Sequence, residues 1–476
     1  MSALFRPNNH LGGLKAGGKV AQALHSAGRQ LRRVMSHKGL SSGQFYPVFQ
    51  FSDLRNYRAI VNFRARAKLF GLSDPFYRCH TAVSGSRTCI DRKSCVNFAS
   101  YDYLGFNRHP ATRAAAKAAI DQFGTSATAS RIVAGERPVH RSLENGLAQF
   151  YGVEDAIAFV SGHATNVSTI ATLMGPADLI VHDELVHNSV LTGAKLSQAT
   201  CHSFRHNDLD ALEKLLCEER AKHKHALLVV EGLYSMDGDI PDLPGLIELK
   251  RQYGAWLMVD EAHALGVLGA TGRGSAEHHD IDPRQVDIWM GTLSKALASC
   301  GGYIAGKREL IELLKFNAAS FVYSVGLSPP LAAVAKTSLD LLREEPERVR
   351  RLQENSRLLL NEARAAGLDT GRSEGYAVVS LMIGDIFKAG RLSERLLSRG
   401  VNALPIIYPA VPMRASRLRF FITCQHSWEE IKEAVRITRE EIGLLNGLKI
   451  EAKAPSVHNV DHFRNRSVDH LGWPAD

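Results

Sequence analysis

The chain has 476 residues, 45% hydrophobic and 22% charged, a balance that suits one large domain and a smaller one around substantial cores. No apolar run approaches the roughly 20 residues that span a bilayer, and no compact apolar segment with a small-residue cleavage site opens the chain, which argues against secretion. The seven cysteines are scattered, odd in number and without a C-x-x-C pair. That speaks against a disulfide framework and a zinc site, so no metal is expected, and it fits a reducing, cytoplasmic compartment.

The net charge of +9 is concentrated at one end, because residues 1–52 hold seven Lys or Arg and no Asp or Glu. Within this basic arm Val20, Leu24, Ala27, Leu31 and Val34 follow helical spacing, with Arg29, Arg32 and Arg33 largely off the stripe. One reading is an interfacial helix making peripheral contact with an anionic membrane, or a targeting segment. The other is a helix packed on its own domain or a partner, or an arm frayed at Gly28. The arm has few aromatics on which bases could stack, so no nucleic-acid partner is expected.

After an N-terminal segment over 53–95, short apolar runs alternate with helical stretches across a large domain at 96–330. Ala156–Val160, Leu179–Val181, Ala226–Val230, Trp256–Val259, Ile288–Met290 and Tyr303–Ala305 read as buried strands. Asn166–Leu173, Asp208–Lys222 and Leu243–Tyr253 between them have helical periodicity. Such alternation predicts an α/β fold with a mainly parallel sheet between helices. A smaller α+β C-terminal domain over 331–446 follows: a long helical stretch from Ala332 to Ala366, strands at Ala377–Ile383, Val401–Ile407 and Arg419–Thr423, and a helix at Trp428–Leu445. The tail at 447–476 is polar.

Four features carry candidate chemistry. The apolar run Trp256-Leu-Met-Val ends in Asp260, followed by Glu261, Ala262 and His263. An acid at a strand's carboxyl end sits where open α/β sheets bind ligands, and a buried carboxylate there needs a cation. A helix-capping Asp would read the same. Lys295 closes Gly291-Thr-Leu-Ser among small and hydroxyl residues, a setting that suits Schiff-base chemistry by an amine of lowered pKa, although for a lysine taken alone a surface position in a Gly-rich loop is the commoner outcome. Ser161-Gly162-His163 stands at a strand-to-helix junction and suits either a phosphate cradle or an ordinary N-cap. His187, just after another strand, is a ring that could stack on a flat cofactor or be a satisfied loop histidine. Cradle, ring, acid and lysine together are the parts of a pyridoxal phosphate site.

From about Asn97 to His426 the chain resembles the α-oxoamine synthases, within the aminotransferase-like fold of pyridoxal-phosphate enzymes. The segments carrying the likeness include Asn97-Phe-Ala-Ser-Tyr-Asp-Tyr-Leu-Gly105, Gly124-Thr-Ser-Ala-Thr-Ala-Ser-Arg131 and Glu231-Gly-Leu-Tyr-Ser-Met-Asp-Gly238. Asp260-Glu-Ala-His263, Gly291-Thr-Leu-Ser-Lys295, Tyr323-Ser324 and Ser416-Arg-Leu-Arg419 continue it in order. Gly301-Gly-Tyr-Ile304 and Leu327-Ser-Pro-Pro330 most resemble the serine palmitoyltransferase branch.

The resemblance implies pyridoxal 5'-phosphate as cofactor and decarboxylative condensation of a small amino acid with an acyl thioester on coenzyme A or acyl carrier protein, in a homodimer. It gives Lys295 to the cofactor aldehyde and to proton transfer, Asp260 to the pyridine nitrogen, His187 to the ring face and His263 to the phenolic oxygen. Ser161, Gly162, His163, Thr292 and Ser294 would hold the phosphate, with Ser324 of the neighbouring subunit. Arg417 would grip the amino-acid carboxylate, with Asp102 and Tyr103 also on the substrate. Two positions depart from the family pattern: His163 stands where Phe or Tyr is usual, and Ala296-Leu-Ala-Ser-Cys300 lacks a further glycine. An aminotransferase or aldolase on the same fold, or a non-catalytic regulatory subunit, are the rival readings. Retention of Lys295 argues against the latter.

Overall fold

A computed structural model describes residues 49–408, 410–412 and 414–447. The helical stripe expected between Val20 and Val34 and the tail beyond 447 lie outside the described residues. Contacts divide the chain after Phe63 into two units. The first includes a short turn at Phe51–Asp53 and the start of a helix, Arg55–Leu69, which has no acidic residue and no buried side chain.

The second unit is organised by a seven-stranded sheet. Its strands are β3 (Asp155–Phe159), β4 (Leu179–Asp183), β5 (Thr200–Phe204), β6 (Ala226–Glu231), β7 (Trp256–Asp260), β8 (Ile288–Thr292) and β9 (Gly302–Gly306). They follow the order β3-β9-β8-β7-β6-β4-β5, and β9 alone runs antiparallel to its neighbours. Every residue of β3, β4, β6, β8 and β9 is buried, as expected for strands covered by helices on both faces. Ile157, Phe159, Val229, Met258, Met290 and Ile304 form part of one continuous core, each burial worth about 1.5–3 kcal/mol.

Two smaller sheets complete the unit. β10 (Val378–Gly384), β12 (Leu404–Ile406) and β13 (Ser416–Phe421) pair antiparallel in the order β10-β13-β12. β1 (Arg87–Ile90) and β2 (Lys93–Asn97) form a hairpin whose second strand also pairs, in parallel, with β11 (Val401–Asn402). The single strand expected over Val401–Ile407 is thus two strands that serve different sheets.

The domain boundaries read from the sequence do not coincide with breaks in the chain. The cut at 95/96 falls within β2, and the helix Pro329–Glu344 runs through 330/331. The long helix expected from Ala332 to Ala366 is interrupted: Pro329–Glu344 and Glu347–Ala365 are separate, and Pro346 caps the second. Proline lacks the N–H that would continue the first helix, and its ring disfavours a helical residue before it.

Candidate active site

The parallel strands β4, β6, β7 and β8 end in Asp183, Glu231, Asp260 and Thr292. These polar termini lie at the carboxyl edge, where such sheets take ligands. Asp260 is 4% exposed. Its Oδ1 accepts the Ala262 N–H at 2.9 Å, and its Oδ2 accepts from Asn166 Nδ2 at 2.8 Å. Neither partner is charged. A buried carboxylate of this kind calls for a cation, which a protonated heteroaromatic nitrogen supplies. Glu231, its register partner on β6, is equally buried and accepts the Ser235 N–H at 3.0 Å, while its second oxygen has no partner. Burial, and then the charge on Asp260, push the Glu231 carboxyl up to about 8. At neutral pH it therefore holds its proton.

Lys295 stands half-buried between β8 and β9, its Nζ 5.9 Å from the centroid of the Tyr101 ring. Removal from water lowers the ammonium pKa to about 8, against the pull of Asp260 and Glu231 and with the push of Arg419. The free amine is the nucleophile, so capture of an aldehyde by the cofactor-free protein is expected to rise with pH through about 8 and then level off. Stopped-flow absorbance after mixing with pyridoxal phosphate measures this. A rate still climbing beyond pH 10 would show an ordinary lysine.

His263 is buried, and Phe421 stacks on it with ring planes 11° apart. Its Nδ1 lies 2.7 Å from Tyr103 Oη. Burial, then the charges of Lys295 and Arg419, push its pKa well below the usual value, so the ring is neutral. His187 sits at the exposed rim with its ring 6.2 Å from that of His163, edge to face. Withdrawal of the ring from water lowers its pKa against the pull of Asp260, helped by Lys295, His163 and Arg419.

At the mouth of β3 both readings of Ser161 hold together. Its hydroxyl caps the helix Gly162–Leu173 by accepting the Ala164 N–H at 3.4 Å. Gly162 then opens a concavity that a side chain would close, since a Cβ there would stand 2.9 Å from Thr292 Oγ1. Thr292 Oγ1 donates to the Gly301 carbonyl at 2.9 Å and accepts the Ser294 N–H at 3.2 Å. Helix N–H groups, a glycine and two hydroxyls make a cradle for a phosphate. Ser324 is not among them. It lies half-buried between exposed Tyr323 and Val325.

The substrate residues need correction. Arg417 is committed within the fold: its Nη1 pairs with Asp237 at 2.9 Å and donates to Met236 O, and its Nε donates to Ala415 O. Arg419, two residues on and so on the same face of β13, donates from Nη1 to Ser235 O at 2.8 Å and lies 4.5 Å over the Phe421 ring. Its Nε is buried without a partner, and its charge acts on Lys295, His187 and His263. Arg419, rather than Arg417, is the arginine with a donor left free for an anion. Asp102 likewise turns away from it: its Oδ1 accepts the Asn107 N–H at 3.2 Å, its Oδ2 is unpartnered, and burial raises the carboxyl to about 6. Tyr103 reaches the site only through His263.

Comparison with known proteins places the chain in a family. Residues 93–437 match the family model for aminotransferase class I and II. The 8-amino-7-oxononanoate synthase of Symbiobacterium thermophilum is 39% identical over 362 residues, 75% of this chain and 92% of that protein. That of Geobacter sulfurreducens is 41% identical over 354 residues, 74% and 90%. Among solved structures, Sphingomonas wittichii serine palmitoyltransferase superposes with a TM-score of 0.80 at 30% identity, covering 84% of this chain and 99% of that one. The chain belongs to the α-oxoamine synthases. As a member of that family it is a pyridoxal-phosphate-dependent acyltransferase with the aminotransferase-like fold.

For an α-oxoamine synthase, sequence reasoning missed Glu231, Asn166, Ser189 and Arg419. Glu231 had a visible signal, since it ends the apolar run Ala-Leu-Leu-Val-Val much as Asp260 ends Trp-Leu-Met-Val.

Proposed function

We propose that this synthase joins the α-carbon of serine, or alternatively glycine or alanine, to the carbonyl carbon of a long-chain acyl thioester on coenzyme A or acyl carrier protein. A C–C bond forms, the C–S bond breaks to release thiol, and the amino acid's carboxylate leaves as CO₂. The product is an α-amino ketone of the kind that begins sphingolipid-like lipids or secondary metabolites.

The observation that carries the reading is Arg419: a largely buried guanidinium with a free Nε, whose charge reaches Lys295. It suits a small carboxylate beside a proton-transferring amine. Bound pyridoxal phosphate supplies a ring that withdraws electrons from the substrate α-carbon. Asp260 holds the negative charge that keeps the ring nitrogen protonated, and Gly162, Thr292 and Ser294 hold the phosphate. Lys295 Nζ, a free base for half of its population near pH 8, takes the α-proton. Neutral His187 or His263 would donate an N–H toward the oxygen that becomes negative at the thioester carbonyl.

The likeness to serine palmitoyltransferase supports a long acyl chain. The sequence relatives support a second reading, an 8-amino-7-oxononanoate synthase. Thiol release measured for serine, glycine and alanine, each with palmitoyl and short-chain thioesters, separates them. Turnover of serine with palmitoyl thioester is expected, and turnover confined to short-chain thioesters would overturn the long-chain reading.

A homodimer is part of the proposal. Val133 and Tyr323 are 81% and 87% exposed, with Ile132 and Val325 also open. Their segments run side by side, the Gly326 N–H donating to Ala129 O at 2.9 Å. Apolar side chains so exposed suit a second copy, and Ser324, within this patch, would reach the partner's phosphate. Among the described residues no helix is long and apolar enough to cross a membrane. The basic arm would give peripheral contact, to be tested by sedimentation with anionic liposomes before and after its removal.

A further inference from the structure

Four side chains run in a line from the acid of the site to its rim. Asn166 Nδ2 donates to Asp260 Oδ2 at 2.8 Å and to Ser189 Oγ at 2.9 Å, and Ser189 Oγ lies 2.7 Å from His187 Nδ1. Asn166 is 1% exposed and Ser189 fully buried, so water does not intervene in the middle of the line.

Counting hydrogens gives the line a direction. A carboxylate accepts and does not donate, so the Asn166 amide must turn its NH₂ to Asp260. Its second N–H then goes to Ser189, whose oxygen is thereby an acceptor. The Ser189 backbone N–H donates to His187 Nδ1 at 3.3 Å, which makes that nitrogen an acceptor, and the hydroxyl proton of Ser189 is then directed to the same atom. Nδ1 accepts from both sides and carries no proton.

We propose that Asn166 and Ser189 are positioning residues that lock His187 as the neutral Nε2–H tautomer and tie its ring to Asp260. The inference rests on His187 and Asp260 flanking the cofactor. His187 then acts in one sense only, as a donor through Nε2. Protonation at Nδ1 would set a proton against the Ser189 backbone N–H and take from the serine hydroxyl its acceptor, and that raises the cost of the imidazolium. The charged groups around the ring divide: Asp260 favours its protonated form, while Lys295, His163 and Arg419 oppose it. Glu231, holding its proton at neutral pH, faces the His187 backbone. The Ser189 hydroxyl and backbone N–H add to this field the contacts that distinguish Nδ1 from Nε2.

The test uses full-length protein selectively ¹⁵N-labelled at histidine, in its cofactor-free and cofactor-bound forms, with His187→Gln assigning the resonance. Nitrogen shifts of a neutral ring protonated at Nε2 are expected in both forms. In Ser189→Ala the titration midpoint of His187 is expected to rise by about one pH unit. The acid limb of the kcat profile should follow it, with KM for the amino acid changed less than about twofold. Ser189→Thr, which keeps the hydroxyl, should restore both, and Asn166→Ala should reproduce the shift if Ser189→Ala fails to fold. An Nδ1–H signal in the unaltered protein would overturn the proposal. So would a midpoint that no variant moves while pyridoxal phosphate still binds. Failure of the unaltered protein to bind pyridoxal phosphate at all would instead strike the reading of the site.

Discussion

Lys295→Ala is expected to lower condensation by about a thousandfold or more, leaving a folded protein that still binds pyridoxal phosphate through its phosphate. The size follows from losing both the covalent anchor and the acid–base group, each worth orders of magnitude. Removing an amine whose charge is already disfavoured by burial does not cost stability, so the thermal midpoint should hold or rise. Borohydride reduction followed by peptide mapping provides the control, with cofactor fixed to Lys295 in the unaltered chain and to no residue in the variant. An active Lys295→Ala protein would mean that another group moves the proton.

The second large effect separates two arginines on one strand face. Arg419→Ala is expected to cost about 3 kcal/mol of amino-acid binding, roughly a hundredfold in KM, because a charge-assisted pair to the carboxylate is lost. The thermal midpoint should change little, since Arg419 donates to the fold through Ser235 O and Met236 Sδ alone. Arg417→Ala is expected to do the reverse. It strands Asp237 beside a largely buried position, and breaking such a pair costs about 3–5 kcal/mol of stability, while the amino-acid KM stays within about a fewfold of its starting value. Differential scanning fluorimetry and initial rates on both variants decide the assignment. A hundredfold KM effect at Arg417 with none at Arg419 would reverse it.

This pair of arginines also shows where the sequence stops being informative. Residues two apart on a strand share a face, so Ser416-Arg-Leu-Arg419 offers two equivalent candidates. What separates them is Asp237, contributed by a loop 180 positions away. The continuous apolar runs of β3, β4, β6, β7, β8 and β9 were legible because strands buried on both faces leave no polar alternation. β5 was not, since it is an edge strand with alternating exposure and the composition Thr-Cys-His-Ser-Phe. Asp260 and Lys295 stood out by chemistry at a strand end and in a small-residue loop. Asn166 read only as the start of a helix, because its contact with Asp260 spans 94 positions. Asp102 was placed on the substrate by the resemblance alone, whereas the turn to Asn107 draws it inward.

The most direct test of the account is amino-acid-dependent thiol release by the purified protein supplied with pyridoxal phosphate, serine and palmitoyl thioester, with evolved CO₂ measured alongside. A yellow protein is expected, whose absorbance shifts on adding the amino acid and which releases equal amounts of thiol and CO₂ only when both substrates are present. A protein that stays colourless with pyridoxal phosphate, or that releases thiol without consuming amino acid, would contradict it.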